Sequence, residues 1–165
     1  MTNAELLDLI HYQDWARERI LPALEPLTSE EWQRPLGGSF ASLHATVLHI
    51  LGAEEIWGAR LRGEQKSFPA AGEVPDLAAM RSRWQAAIAA LRDWLAAQPE
   101  GAAGRVIAYT RQGQAVQTPV EAVLLQLSHH TAYHLGQVVH MLRQLGRTPA
   151  DTGYISYQRQ RSAAG

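Results

Sequence analysis

Apolar residues recur at helical spacing in four long stretches of the chain, and segments rich in glycine and proline separate these stretches. Polar side chains able to cap a helix precede three of the stretches. The pattern predicts four amphipathic helices: about residues 6–24, from a cap at Ser39 or Ser42 to about 62, from a cap at Asp76 to about 98, and about 119–145.

The segment before the last predicted helix has a different pattern. Residues 105–110 and 115–118 flank a Gln-Gly turn, which predicts a small hairpin or two extended stretches. The helix that follows has Thr118 as its expected N-cap, Pro119 at its first position and Glu121 to complete a capping box. Residues 148–165 show no helical period, and we expect an irregular tail there.

These elements predict an all-α protein, a four-helix bundle with a small extended or hairpin segment before the last helix. At 165 residues, 46% hydrophobic and 19% charged, the chain has the length and composition of one domain over residues 1–165 with its own core. We find neither an internal repeat nor a second domain in the pattern.

The charge and composition of the chain argue against several classes of binding partner. The formal net charge is −1 and the basic residues are spread along the chain, which argues against nucleic acid or an anionic membrane as partner. There is no apolar run long enough for a transmembrane helix, and the first residues lack the pattern of a secretory signal. We therefore expect a cytoplasmic protein.

Cysteine is absent from the sequence. This excludes disulfides, thiolate metal ligands and a cysteine nucleophile supplied by the chain. A transition-metal site would have to be built from histidine and carboxylate side chains.

The seven histidines contain one pair at i,i+4 spacing, His130 and His134, in the last predicted helix. This spacing puts both imidazoles on one helix face among apolar residues, where they need hydrogen bonds or a metal ion. His49 has a similar apolar setting in the second predicted helix. Three histidines from two facing helices leave coordination positions open, as in catalytic zinc sites. The competing interpretation is that they are hydrogen-bonded core residues.

Other features point away from familiar catalytic signatures. Thr131 follows His130, so the glutamate of the HExxH metalloprotease motif is missing, and the ExxH signature of di-iron bundles is also absent. His11, His44, His129 and His140 are not assigned as ligands. Four carboxylates could lie near the predicted site, although most of them are expected on solvated faces: Asp14, Glu18, Glu54 and Glu55.

Taken together, several segments resemble the DinB-like (YfiT-like) superfamily of four-helix proteins, which includes metalloenzymes. The resemblance spans nearly the whole chain and is strongest in the run His-Thr-Ala-Tyr-His-Leu-Gly-Gln at residues 130–137. The other matching segments are 11–16, 38–42, 48–57, 60–63 and 141–146, with Pro149 beyond them.

The resemblance implies a divalent metal ion, most often nickel or zinc, held by His49, His130 and His134. It also implies a homodimer, an expectation that five tryptophans in a small chain support. Family members of known activity include S-transferases that use thiols such as bacillithiol or glutathione, and mycothiol-dependent maleylpyruvate isomerases. The family name refers to induction by DNA damage, a stress response.

Two residues near the histidine pair refine this expectation. Leu135 stands where the family often has an arginine directly after the second histidine, so a contact made by that arginine is lost here. Gln137, three residues after His134, is a candidate to orient a metal ligand or a bound water. A surface amide is the alternative role for Gln137.

The functional hypothesis from sequence is a metal-dependent enzyme that transfers a low-molecular-weight thiol, as co-substrate, to a small electrophile. A hydrolase that uses metal-bound water is a close variant. The third hypothesis is a non-catalytic, dimeric stress-response module that binds a metal or ligand. The catalytic residues themselves are left unassigned.

Overall fold

The structure is a computed structural model that describes residues 1–164. Within these residues, no helix combines the length and the apolar character needed to cross a membrane. The elements follow in chain order: α1 Asn3–Leu24, α2 Ser29–Gln33, α3 Leu43–Leu61, α4 Leu77–Ala96, β1 Val106–Arg111, β2 Gln114–Pro119, α5 Val120–Gln144 and α6 Tyr154–Ala164.

The four long helices α1, α3, α4 and α5 form the bundle that the sequence predicts. Helix α5 packs against α1 and α3, and α4 packs against the same two helices from the other side. Of the two candidate caps for α3, Ser42 is the one used, since its Oγ accepts a hydrogen bond from the Ala45 amide at 3.2 Å. Asp76 caps α4 as predicted, through the Ala79 amide at 2.8 Å.

The hairpin of β1 and β2 is antiparallel and closes at Gln112 and Gly113, both with positive φ. A two-residue turn of this kind matches the twist of a hairpin. Residue Ile107 of β1 is buried in the core, and the Arg105 carbonyl accepts the Val120 amide at 2.8 Å. The hairpin is thereby attached to the N-terminal end of α5.

The predicted N-cap of the last helix is wrong by one residue. Pro119 occupies the N-cap position, without a side-chain hydrogen bond, and Thr118 belongs to β2 opposite Ile107. The Thr118 hydroxyl lies 3.1 Å from the Tyr109 hydroxyl. Pairing with β1 keeps Thr118 extended, so its side chain is directed to the neighbouring strand and not to the helix.

The tail predicted to be irregular over residues 148–165 contains the helix α6, and that part of the prediction is wrong; Gly165 lies outside the described residues. Tyr157 is 4% exposed, with its ring centroid 5.7 Å from that of Tyr12 and 5.5 Å from that of Trp15. The Asp8 carboxylate of α1 accepts hydrogen bonds from the hydroxyls of Tyr154 and Tyr157 at 3.0 and 2.9 Å. Helix α6 is therefore held mainly by aromatic and polar contacts.

A buried ion pair joins α1 to α3. The Arg17 guanidinium donates to the Glu54 carboxylate at 2.6 Å, and both side chains are almost completely buried. The Thr131 hydroxyl of α5 donates to the same carboxylate at 3.2 Å. Burial raises the pKa of Glu54, while Arg17 and Thr131 act in the opposite direction. Glu54 therefore does not take the solvated position expected for most of these carboxylates, because Arg17 pairs with it inside the bundle.

Glu55 also departs from the expected solvated position. It is half-buried, and the Arg83 guanidinium of α4 donates to its two carboxylate oxygens at 2.9 and 2.6 Å. Asp14 is half-buried as well, 3.7 Å from Arg92, whereas Glu18 is exposed as expected.

The position of α6 leads to a stability prediction. Tyr157→Ala should lower the free energy of unfolding by about 3 kcal/mol, because it removes a buried aromatic ring and leaves a cavity. Ile155→Ala is the matched control on the same helix, where the side chain is 61% exposed, and it should change stability by less than about 0.5 kcal/mol. Urea unfolding followed by circular dichroism measures both, and equal effects would contradict a docked α6.

Candidate metal centre

The structure brings the three predicted histidines together. His49 comes from the middle of α3, and His130 and His134 lie one turn apart on α5, which packs against α3. One ring nitrogen from each lies within 4.8 Å of the other two, and the Nε2 atoms of His49 and His130 are 2.9 Å apart. Such a group can hold a metal ion.

The spacing suits a tetrahedral ion. Nitrogen ligands at 2.0–2.1 Å from such an ion are about 3.3 Å apart. This distance lies between the 2.9 Å that separates the Nε2 atoms of His49 and His130 and the 4.8 Å within which all three ring nitrogens lie. Three imidazole nitrogens suit nickel or zinc and leave at least one coordination position for another ligand. In addition, Nδ1 of His130 is buried without a hydrogen-bond partner among the described residues.

Burial favours the neutral form of His130 and His49. It lowers the pKa of His130 to about 4, with further contributions from His134 and His49. Burial also lowers the pKa of His49, and His134 adds to this effect. A neutral imidazole has the lone pair that a metal ion requires, so both rings are in the ligating form at neutral pH.

Gln137 lies where it can orient His134. Its Oε1 is 2.8 Å from Nδ1 of His134, and its Nε2 donates to Ser39 Oγ at 3.0 Å. With Nδ1–H donating to this amide, Nε2 of His134 is the nitrogen available to a metal ion. The role of Gln137 in orienting a metal ligand stays a prediction, and this contact provides the geometry that such a role needs.

Two aromatic rings enclose His49. Phe40 stacks on it at a centroid distance of 4.2 Å, and Phe68 lies nearly parallel to it at 5.5 Å. Phe68 also packs on Gly52, where a methyl group would lie only 2.2 Å from the ring. These are the two phenylalanines of the chain, from the loops before and after α3. We did not identify them from the sequence, because loop positions carry no periodic signal.

A pocket of about 560 Å³ opens beside the cluster. Apart from two of the histidines, its wall combines apolar side chains, two uncharged polar side chains and two arginines that sequence reasoning also missed. The α3 part of the wall follows helical spacing from His49, which is the signal that was available. The lining residues are His49, Ala53, Ile56, Trp57, Arg60, Phe68, Arg111, Thr118, Ala122, Val123, Gln126 and His130.

The other histidines lie apart from this centre. His44 is buried, and its Nε2 is 2.8 Å from the Val74 carbonyl, which is the contact of a hydrogen-bonded core histidine. His11, His129 and His140 are exposed. Leu135, at the position where the family often has arginine, is 1% exposed and packs in the core.

Comparison with known proteins identifies relatives of this chain. The model of a family described as the DinB family matches residues 1–163. A comparison with curated proteins gave no match. Among solved structures, the crystal structure of a DinB-like protein from Bacillus cereus matches with a TM-score of 0.62 and 18% identity, covering 87% of this chain and 94% of the other. The structural likeness concerns the fold, and the family match confirms the resemblance drawn from the sequence.

The role of Gln137 can be tested by metal affinity. Gln137→Ala should weaken zinc binding about 10- to 100-fold, because His134 loses the partner that orients its ring. Gln144→Ala is the matched control, an exposed amide on the same helix. Competition with a chromophoric chelator measures both dissociation constants. If the two variants bind zinc equally well, Gln137 is a surface amide.

The lowered pKa of His130 predicts a pH dependence for the metal-free protein. The unfolded chain takes up a proton near the ordinary pKa of 6.5, whereas the folded protein resists protonation until about pH 4. The free energy of unfolding should therefore fall as the pH decreases from 6.5 towards 4. His130→Asn should make this decrease shallower in urea titrations at pH 7, 6 and 5, and an unchanged slope would contradict the assignment.

Proposed function

Because the chain belongs to the DinB family, we propose that it is a divalent-metal-dependent enzyme that transfers a low-molecular-weight thiol to a small electrophile. His49, His130 and His134 would hold the ion, nickel or zinc. The observation that carries the proposal is the convergence of three imidazole ligands beside a pocket of about 560 Å³, whose wall includes two of them. A structural histidine cluster has no need of such a pocket.

The nucleophile of this reaction would come from the co-substrate. The chain has no cysteine, and a bound divalent ion lowers the pKa of a coordinated thiol so that thiolate forms near neutral pH. In the transfer, sulfur forms a bond to the electrophilic carbon, the leaving group departs with its electron pair, and the thiol proton passes to solvent. Apolar residues such as Ile56 and Val123 provide a wall for the electrophile.

The lining of the pocket favours a thiol over water as the nucleophile. A hydrolase benefits from a carboxylate that acts as general base, and none is among the residues that line the pocket. The buried carboxylate of Glu54 is engaged by Arg17 and Thr131. Thiolate formation on a metal ion needs no such base, so the hydrolase has less support.

The proposal includes the setting of the enzyme. We place it in the cytoplasm, where small thiols are kept reduced, as part of a stress response. We also propose a homodimer on the basis of family membership. The five tryptophans give this less support than expected, because all are buried or half-buried within the chain, whereas Tyr133 and Ile155 are more than half exposed.

The first test is metal content. Protein purified without a histidine tag should contain about one equivalent of nickel, zinc or a similar ion by plasma mass spectrometry. His134→Ala should lose the ion, and His140→Ala, an exposed histidine on the same helix, should keep it. The cobalt-loaded protein should then gain a sulfur-to-cobalt charge-transfer band when a thiol is added, and should conjugate that thiol to a general electrophile.

The outcomes separate the hypotheses. Absence of metal in the wild type, even after incubation with divalent ions, would overturn the enzyme. A bound ion whose spectrum no thiol changes, with no turnover, would indicate a non-catalytic module. Ester or amide hydrolysis without a thiol would identify the hydrolase.

A further inference from the structure

Two arginines contribute to the same pocket wall as the histidines. Arg60 comes from the last turn of α3 and Arg111 from the end of β1. The ion pairs found within residues 1–164 include neither of them, and the pocket lining contains no carboxylate. Two guanidinium groups thus contribute positive charge that the pocket itself does not balance.

Arg60 is held in place by two aromatic rings. Its guanidinium carbon lies 4.6 Å from the ring centroid of Trp57 and 4.4 Å from that of Tyr109. Side chains on a helix lean towards its N-terminus, so Arg60 extends back over Trp57 in the direction of His49. Both rings make cation–π contacts with the guanidinium group. Its N–H donors then remain available to an anionic group.

The two-residue repeat of strand β1 places Arg111 on the face of the strand that is directed towards the pocket. Ile107, Tyr109 and Arg111 alternate along β1 and therefore share one face. Ile107 is buried in the core, and the Tyr109 ring packs edge-on against Trp57 at 5.3 Å, which directs this face towards α3. Burial lowers the pKa of Arg60; Tyr109 acts in the opposite direction, and the charge of Arg111 lowers this pKa further. The two cations repel each other, and an anion bound between them would relieve this.

We propose that Arg60 and Arg111, the arginine pair, bind a carboxylate of the thiol co-substrate while its sulfur lies at the histidine cluster. This inference rests on the proposed function and adds a substrate class: anionic thiols long enough to connect the two sites. His49 and Arg60 are eleven residues apart on one helix, about 16 Å along its axis, and the Arg60 side chain shortens the gap. In a tripeptide thiol such as glutathione, the sulfur is on the central residue and one further residue separates it from a terminal carboxylate. This can span the shortened gap, whereas free cysteine is too short.

The test measures separately how the carboxylates and the thiol group of the co-substrate contribute to binding. The probes are glutathione, its diethyl ester, in which both carboxylates are blocked, and S-methylglutathione, in which the thiol is blocked. Calorimetry on cobalt-loaded protein gives the affinity, and the charge-transfer band reports sulfur on the metal ion. Arg60→Met and Arg111→Met are compared with Arg143→Met, an exposed arginine of α5 outside the pocket, and circular dichroism checks that each variant folds.

We expect glutathione to bind the wild type about tenfold more tightly than the diethyl ester does, with an affinity that falls as salt is added. Either variant of the arginine pair should lose about tenfold for glutathione and little for the ester, and Arg143→Met should lose nothing. Because Arg111 is exposed, its variant keeps the test valid even if Arg60→Met fails to fold.

Three results would overturn the inference: equal affinity for glutathione and its ester, equal losses in Arg143→Met and the arginine-pair variants, or no binding of any probe. A different result would overturn the proposed function alone. In that case S-methylglutathione would bind as tightly as glutathione, with the same dependence on the arginine pair, and no charge-transfer band would form. The anion site would then stand without a thiol reaction.

Discussion

The buried ion pair between Arg17 and Glu54 fixes the alignment of the helices that carry the histidine cluster. An uncompensated charge in the core costs about 3–5 kcal/mol, so α1 and α3 cannot slide past each other without separating the pair. The hydrogen bond from Thr131 to the same carboxylate extends this constraint to α5. Since Thr131 follows His130, and Glu54 lies five residues after His49, the contact that aligns the helices also sets the distance between the histidines. A shift of one residue would rotate a helix by about 100° and remove its ligand from the cluster.

The histidine cluster is an arrangement of side chains that packing alone would not favour. Three imidazoles lie within contact of one another, and one has a buried nitrogen without a partner among the described residues. Within residues 1–164, buried nitrogens without a partner also occur at Trp32 and Trp84, so the distinctive feature of the site is the close approach of three imidazoles. Side-chain arrangements that lower the stability of the folded state are typical of functional sites, where the geometry serves binding or catalysis. Phe40 and Phe68, from the two loops that flank α3, stack on the ring of His49 and favour one orientation of it.

The period of apolar residues was sufficient to predict the bundle and its four long helices, because each buries one face. Asp76 was predictable as a cap, and Ser42 as one of two candidates, because capping depends on residues close in sequence. Helix α6 was not, because Asp8, the carboxylate that accepts its tyrosine hydroxyls, is 146 residues from Tyr154. The i,i+4 pair of histidines could be read from one helix, but the third ligand required the apolar setting of His49 and the family resemblance. Burial of Glu54 depends on Arg17 in another helix, and a pattern within α3 alone cannot reveal it.

The positive charge of the pocket limits the kind of substrate that can bind more than the shape of the pocket does. The histidines are neutral ligands, so a divalent ion held by them would keep its full charge, and the arginine pair adds two more positive charges. A pocket of about 560 Å³ without a carboxylate in its wall would then be strongly cationic. A thiolate with a distant carboxylate supplies negative charge at both ends of such a pocket. The wall between the ends is formed by residues such as Ala53, Ile56 and Val123, which offer neither charge nor hydrogen bonds from their side chains. The electrophile that contacts this part of the wall is therefore expected to be small and largely apolar, with Thr118 and Gln126 as the uncharged polar side chains in the pocket lining.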